Sequence, residues 1–323
     1  MIPWVTAPTA DREVCGGKMA SLARLAAAGL PTPRGFVVTT AAFREVLDPT
    51  GLTERVSAIL RTMPPGPARL HAVDAVAREV ILTAPWPLAL EAALREAHAE
   101  LTGRTPERPL AVRSSATWED TPTASAAGQL RSVIGVTGPA RLRLAVPRVW
   151  AAAFSPTAVA YRERAGLPAV PRPVAVGVQE LVAARLSGVA YSAHPVTGDT
   201  ATLVIEAITG LCGPLVDGRV VPEHLELGRD GSLRARRPAR QHLAAHYDPV
   251  RQAVVERAAS EPVRLGPEHL DVIRRGLLRA EAVFGRPVDI EWSWHPATGL
   301  TILQARPVTV PGTSRVSAGG PVC

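Results

Sequence analysis

Val288-Asp289-Ile290-Glu291-Trp292-Ser293-Trp294 runs into His295-Pro296-Ala297-Thr298-Gly299, and Leu300-Thr301-Ile302-Leu303-Gln304-Ala305-Arg306 follows. Two segments flanking a Pro- and Gly-containing turn read as a β-hairpin. A four-residue loop at 296–299 would set Trp294 opposite Thr301, Trp292 opposite Leu303, Glu291 opposite Gln304 and Asp289 opposite Arg306. Opposed residues share a face, and side chains alternate with period two. One face therefore carries Asp289, Glu291, Gln304 and Arg306, and the other Ile290, Trp292, Leu303 and Ala305. A polar face behind an apolar one is the ordinary state of a solvated antiparallel sheet. Two acids, an amide and an arginine in one patch also suit a divalent cation and a phosphate. The pattern depends on register, because a slip of one residue scatters the set over both faces.

A second signal lies near the other end of the chain. Of 36 basic residues only Lys18 is a lysine, in Cys15-Gly16-Gly17-Lys18. Arginine offers a planar fork and lysine a compact point charge on a flexible stem. Met19, Leu22, Leu25 and Ala26 then recur at helical spacing, and Gly29 and Pro31 close the pattern. The expected helix runs from Gly17 to Ala28, with unpaired N–H groups at its start beside Lys18. That arrangement suits a phosphate contact, and equally a solvated helix turn.

Composition bounds the rest. The chain has 323 residues, enough for one large or two medium domains. With 46% hydrophobic residues it can bury a substantial core, which argues against wholesale disorder. Aromatics at 4% argue against a stacking platform for single-stranded nucleic acid. The net charge of +7 comes from scattered arginines, so a nucleic-acid surface is not expected. The densest basic run, Arg234, Arg236, Arg237 and Arg240, is broken by Pro238 and reads as a solvated loop. Three cysteines without CxxC spacing imply neither a disulfide framework nor a zinc site. Neither a signal peptide nor an apolar run of about 20 residues is evident, so a soluble cytoplasmic protein without membrane contact is expected.

Further elements follow from periodicity. Phe36 to Thr39 reads as a strand, with Thr40 capping the next helix. Trp86 to Leu101 reads as an amphipathic helix with Leu90, Leu94, Ala97 and Leu101 on one face. Leu110-Ala111-Val112 is a buried strand entering a Ser-rich loop, Arg113 to Gly128. Ser155-Pro156 opens a helix through Arg164. From Val174 the pattern turns strand-like at 174–182, 188–192 and 202–207, and Pro267 opens a late helix ending at Gly285. The expected organisation is one subdomain over 1–174, a second over 175–310 and an unstructured tail at 311–323.

Several blocks together carry a resemblance: Gly16-Gly17-Lys18 with Ala20-Ser21-Leu22, Gly29-Leu30-Pro31-Thr32-Pro33, Ala111-Val112-Arg113-Ser114-Ser115-Ala116-Thr117 with Glu119-Asp120, Ala127-Gly128-Gln129, Val178-Gln179-Glu180-Leu181-Val182, Gly188-Val189-Ala190-Tyr191-Ser192, Asp289-Ile290-Glu291-Trp292 and Gln304-Ala305-Arg306-Pro307. In order and spacing they resemble the ATP-binding domain of the phosphoenolpyruvate synthase, pyruvate phosphate dikinase and rifampicin phosphotransferase family. The resemblance runs over residues 15 to about 308. It implies an α+β, ATP-grasp fold with the nucleotide in a cleft between two subdomains. It further implies that Lys18, Arg113 and Arg306 contact ATP phosphates as the catalytic cations. Gly128 and Ser132 would lie in the phosphate-side loop. Gln179 and the backbone of Glu180, Leu181 and Val182 would meet adenine. Glu291 and Gln304 would hold Mg²⁺.

The sequence departs from that family at Gly213, where an acid is usual after Gly210-Leu211-Cys212, and at Thr123, Ala126 and Arg131. None of the eight histidines has the Gly-rich context of a phosphorylated carrier. The expectation is an ATP- and Mg²⁺-dependent phosphotransferase component whose histidine acceptor, a swivelling domain, or substrate-binding protein is separately encoded. The alternatives are a catalytically reduced nucleotide-binding or regulatory protein, and a domain that phosphorylates a small molecule by itself. Walker A and Rossmann fingerprints do not fit.

Overall fold

A computed structural model describes residues 2–3, 11–118, 132–260 and 263–308. In chain order the elements begin β1 (Ile2–Pro3), α1 (Arg12–Ala27), β2 (Gly35–Val38), α2 (Thr40–Leu47), α3 (Leu52–Thr62), α4 (Pro67–Thr83), α5 (Leu88–Thr102) and β3 (Leu110–Ala116). They continue with β4 (Val133–Val136), α6 (Gly138–Ala152), α7 (Pro156–Arg164), β5 (Val174–Glu180), β6 (Leu186–Tyr191), β7 (Thr202–Thr209) and α8 (Gly213–Val216). The last are β8 (Glu223–Gly228), β9 (Leu233–Arg237), β10 (Leu243–Asp248), β11 (Ala253–Ala258), α9 (Pro267–Phe284), β12 (Val288–His295) and β13 (Gly299–Pro307).

Two antiparallel sheets organise the molecule. The first has the order β1-β2-β5-β3-β4 and the second β13-β12-β6-β7-β8-β9, with β10-β11 a separate hairpin. The α+β class expected from the sequence is what these elements form. Val174, Val176 and Val178 alternate onto the helical side of the first sheet, where they join Phe43, Leu94, Val149 and Trp150 in one core. Trp86 stacks on Trp150 at 5.4 Å and Phe43 meets it edge-on at 5.5 Å. In the second sheet Ile290, Trp292, Ala305 and Leu225 pack on Ile273, Leu277 and Ala280 of α9. Pro267 opens that helix and Gly285, at φ 67°, ends it.

Helix α1 ties the two sheets together. Its Met19 and Leu22 pack with Val37 and Ala175 on the cleft side of the first sheet. Its Leu25 and the following Leu30 belong to the core of the second. The Pro31 carbonyl accepts from the Ile302 N–H of β13 at 2.8 Å, anchoring the loop after α1 to the hairpin.

Five expectations are corrected. The strand read as Leu110-Ala111-Val112 continues to Ala116, so Arg113 stands on β3 and not in a loop. β5, assigned by sequence to the second subdomain, pairs with β2 and β3, so the sheet boundary falls between Glu180 and Leu186 rather than at 174. Thr40 is the first residue of α2 rather than its cap, and its hydroxyl donates to the Glu13 carbonyl at 2.7 Å. The stretch from Trp86 is helical only from Leu88, because Pro87 occupies the cap and Trp86 turns into the core. The basic run is not a loop: Leu233–Arg237 is the edge strand β9, with Arg236 bonded to buried Glu223 at 2.6 Å. Charge on an edge strand guards it against pairing with other chains. The expected tail at 311–323 lies outside the described residues.

Candidate functional site

The hairpin of β12 and β13 forms, with one irregularity. Asp289 faces Arg306, Ile290 faces Ala305 and Glu291 faces Gln304, as expected. Beyond Glu291 the register shifts, so that Trp292 faces Ile302, Ser293 faces Thr301 and Trp294 faces Leu300. The chain reverses one residue earlier than assumed, with His295 opposite Gly299, whose φ is 72°. Leu303 is left out of the pairing and absorbs the extra residue as a bulge. Ile302, not Leu303, therefore takes the buried apolar position, while Leu303 is partly exposed.

The bulged residue offers its carbonyl to the first sheet. Arg113, on β3 of the first sheet, donates through Nη1 to the Leu303 carbonyl at 3.1 Å. Its Nη2 donates to Glu291 Oε2 at 2.7 Å and to Gln304 Oε1 at 2.8 Å. One guanidinium thus collects a carboxylate, an amide oxygen and a carbonyl from the opposing sheet. Burial by itself pushes the Glu291 carboxyl up. The Arg113 charge and hydrogen bond outweigh that push, aided by Lys18 and Arg306, and hold the carboxyl below its usual range. Lys18, Arg113, Glu291 and Arg306 are therefore one electrostatic cluster. Arg306 donates through Nε to both Asp289 oxygens, at 2.9 and 2.6 Å.

Lys18 reaches this cluster because α1 is broken at Gly16, which has φ 73° and ψ 170°. The helix begins at Arg12, bends at Gly16, and restarts beside Lys18. The restarted end is capped from another element: the Met19 N–H donates to Ser115 Oγ of β3 at 3.0 Å. A Cβ at position 16 would sit 1.8 Å from the Ser115 carbonyl oxygen, so only glycine lets helix and strand approach this closely.

Gln179 lies on the same side of the first sheet as Arg113, since β3 sets Ala111 opposite Gln179 and Arg113 opposite Gly177. It is buried, and its Oε1 has no hydrogen-bond partner among the described residues. The Glu180 side chain points elsewhere, bonding Arg108 at 2.7 Å. Leu181 and Val182 line a cavity of about 1040 Å³ at the junction of the lobes, together with Tyr247, Trp294 and His269. Leu181 has already committed its N–H to the Pro109 carbonyl at 2.9 Å. Ser132 is exposed at the entry to β4. Gly128 and the departures at 123, 126 and 131 lie outside the described residues.

Sequence reasoning missed several neighbours. Across Val189 from Glu291, on the same face, stands Glu206, and beyond it His224. His224 lies 3.4 Å from both Glu206 and Glu226. Tyr191, opposite Asp289, has its hydroxyl pushed up to about 12 by burial and by the Asp289 and Glu206 charges. Cys212 lies close enough to Glu291 and Arg113 to feel both charges. The alternation of β7 and β8 held the only signal for Glu206 and His224, and it was readable only with the strand order known. Gly213 is exposed at the start of α8.

Residues 12–318 match the family model for the pyruvate phosphate dikinase, AMP/ATP-binding domain. The chain belongs to this family. Among its relatives are a phosphoenolpyruvate synthase of Aeropyrum pernix, 32% identical over 96% of this chain and 42% of that protein, and one of Escherichia coli, 33% identical over 95% and 41%. A rifampicin phosphotransferase of a Streptomyces species is 37% identical over 91% of this chain and 34% of its own length. The chain thus spans well under half the length of these curated relatives. As a member of an AMP/ATP-binding domain family it carries the nucleotide part that the sequence resemblance implied. No helix among the described residues is long and apolar enough to cross a membrane.

Proposed function

We propose that this chain binds ATP with Mg²⁺ between its two sheets and cleaves it, passing a phosphoryl group to a histidine acceptor outside residues 1–323. The observation that carries this reading is the meeting of Arg113 from one sheet with Glu291 and Gln304 from the other. The donor set suits the metal: a carboxylate and an amide oxygen, paired across β12 and β13, are hard ligands that leave positions for water and phosphate oxygens. Bound there, Mg²⁺ would supply charge neutralisation on the polyphosphate. Lys18, Arg113 and Arg306 would hold the phosphate oxygens, because phosphoryl transfer asks a protein mainly for positioning and electrostatic stabilisation. The partnerless Gln179 Oε1 suits the exocyclic amino group of adenine, and Leu181 and Val182 at the lobe junction suit the base. Ser132 and Gly128 would border the phosphates.

Radiolabelled ATP incubated with the chain and a swivelling histidine domain supplied in trans should give AMP and acid-labile phosphohistidine. Absence of both with every candidate partner, despite measurable ATP binding, would favour a second reading. In that reading the chain is a catalytically reduced nucleotide sensor, and the exposed Gly213 in place of the usual acid is the observation on its side. Calorimetry would then register Mg²⁺-ATP binding while hydrolysis stayed at background.

A further inference from the structure

The two side chains best suited to a metal are already serving a cation. Arg113 Nη2 stands 2.7 Å from Glu291 Oε2 and 2.8 Å from Gln304 Oε1, and its Nη1 is secured by the carbonyl of the bulged Leu303 at 3.1 Å. The pair is largely buried, with side-chain exposures of 13% for Arg113 and 23% for Glu291. A guanidinium does not lose its proton at any ordinary pH, so it cannot leave these oxygens by titrating. It leaves only when something else satisfies it. A bare divalent cation offers it nothing: entry of the metal would strand a largely buried positive charge beside two more positive charges. A polyphosphate, rich in anionic oxygens, offers a guanidinium bidentate partners.

We propose that Arg113 is a resident counter-cation that bars metal from Glu291 and Gln304 until a nucleotide draws it away. Metal loading thereby depends on nucleotide. This rests on the reading of the cleft as a nucleotide site and adds an order of events to it. Arg113 joins the two sheets while the cleft is empty and is handed to the phosphates when the cleft fills. The oxygens it vacates become metal ligands in the same step. Reciprocity requires that whatever removes Arg113 from the hairpin strengthens metal binding by the same factor with which metal strengthens its removal. The bulged Leu303 supplies the third bond of the lock through its carbonyl.

Mn²⁺ can replace Mg²⁺ as a spectroscopic probe. Binding of free Mn²⁺ to the nucleotide-free full chain, read by electron paramagnetic resonance, should be weak in the parent and about tenfold or more tighter in Arg113→Met. Adding Glu291→Gln to Arg113→Met should abolish the gain, which assigns it to this site. Arg306→Met removes a cation of the same cluster but leaves the lock, and should gain far less. If circular dichroism shows Arg113→Met unfolded, Arg113→Lys serves, since its single ammonium cannot reproduce the three bonds of the fork. Equal Glu291-dependent Mn²⁺ affinity in the parent and the Arg113 variant overturns the proposal. Calorimetry with a non-hydrolysable ATP analogue in EDTA, run in parallel, tests the nucleotide reading by itself, because the Mn²⁺ comparison uses no nucleotide.

Discussion

Replacing Gly16 by alanine tests the close approach on which Lys18 depends. Two glycines in and after α1 share a positive φ, Gly16 at 73° and Gly29 at 71°, but Gly16 also has ψ 170°, an extended backbone that is essentially reserved for glycine. For backbone alone alanine costs about 1–2 kcal/mol at the positive φ of Gly29 and about 1–3 kcal/mol at the extended, positive-φ backbone of Gly16. At Gly29 nothing lies within 4 Å of an added Cβ, so the cost ends there. At Gly16 the Cβ would meet the Ser115 carbonyl oxygen at 1.8 Å and its carbon at 2.3 Å, and backbone cannot swing aside. Helix α1 must lift off β3. That breaks the buried Met19 N–H···Oγ Ser115 bond, costing about 1–3 kcal/mol, and loosens the Cys15, Met19, Leu22, Ala175 cluster for about 1–3 more. The expected loss is therefore about 3 kcal/mol or more for Gly16→Ala against about 1–2 for Gly29→Ala. Urea midpoints followed by circular dichroism measure both, and calorimetry with Mg²⁺-ATP should show weakened binding only for Gly16→Ala, where Lys18 is displaced. Equal stability losses in the two variants would refute the reasoning from close approach.

Lys18→Arg keeps the charge but replaces a point donor on a flexible stem with a rigid fork, and ATP affinity should fall about tenfold by calorimetry. If affinity is unchanged, the lone lysine has no phosphate role. The Cys212 thiol is pushed up by burial and then by the Glu291 charge, with Arg113 offsetting only part, and burial also raises Cys15. Iodoacetamide at pH 8 should therefore label neither in the native chain, and both after denaturation, as read by peptide mass mapping. Because the folded Glu291 carboxyl lies below its ordinary value, its stabilisation is complete above the unfolded value near pH 4.5 and is lost as pH falls through the folded one. Glu291→Gln should flatten the acid limb of stability against pH, and an unchanged limb would show that Arg113 does not govern this carboxyl.

Much of the fold was legible because local chemistry dictated it. Gly29 and Pro31 ended α1, Ser155-Pro156 opened α7, and Pro267 and Gly285 bounded α9, since each acts through its own backbone geometry. The polar face with Asp289, Glu291, Gln304 and Arg306 was read from alternation and an assumed four-residue loop, and it holds because the Leu303 bulge makes up for the shorter turn. Where the reading failed, a non-local contact had overridden a local signal. Charged β9 exists because β8 offers it a ladder, and β5 joins the first sheet because β2 and β3 lie on either side of it. The bulge at Leu303 could not be foreseen from a turn length, since a three-residue reversal and a four-residue one differ only in where the strand recovers its register.

By itself the sequence determined that a lone lysine follows two glycines, that Asp289 and Glu291 share one face of their strand and Gln304 and Arg306 one face of theirs, and which family these blocks belong to. Only the tertiary structure decided that Arg113, nearly 200 residues away in sequence, reaches across to that face and occupies the oxygens a metal would use. The physical reason is that pattern specifies faces within one element, through periods of 3.6 and two. Which cation satisfies a carboxylate between two sheets is settled by how those sheets pack. Here it depends on a glycine that lets α1 touch β3 and a bulged residue that offers its carbonyl to Arg113.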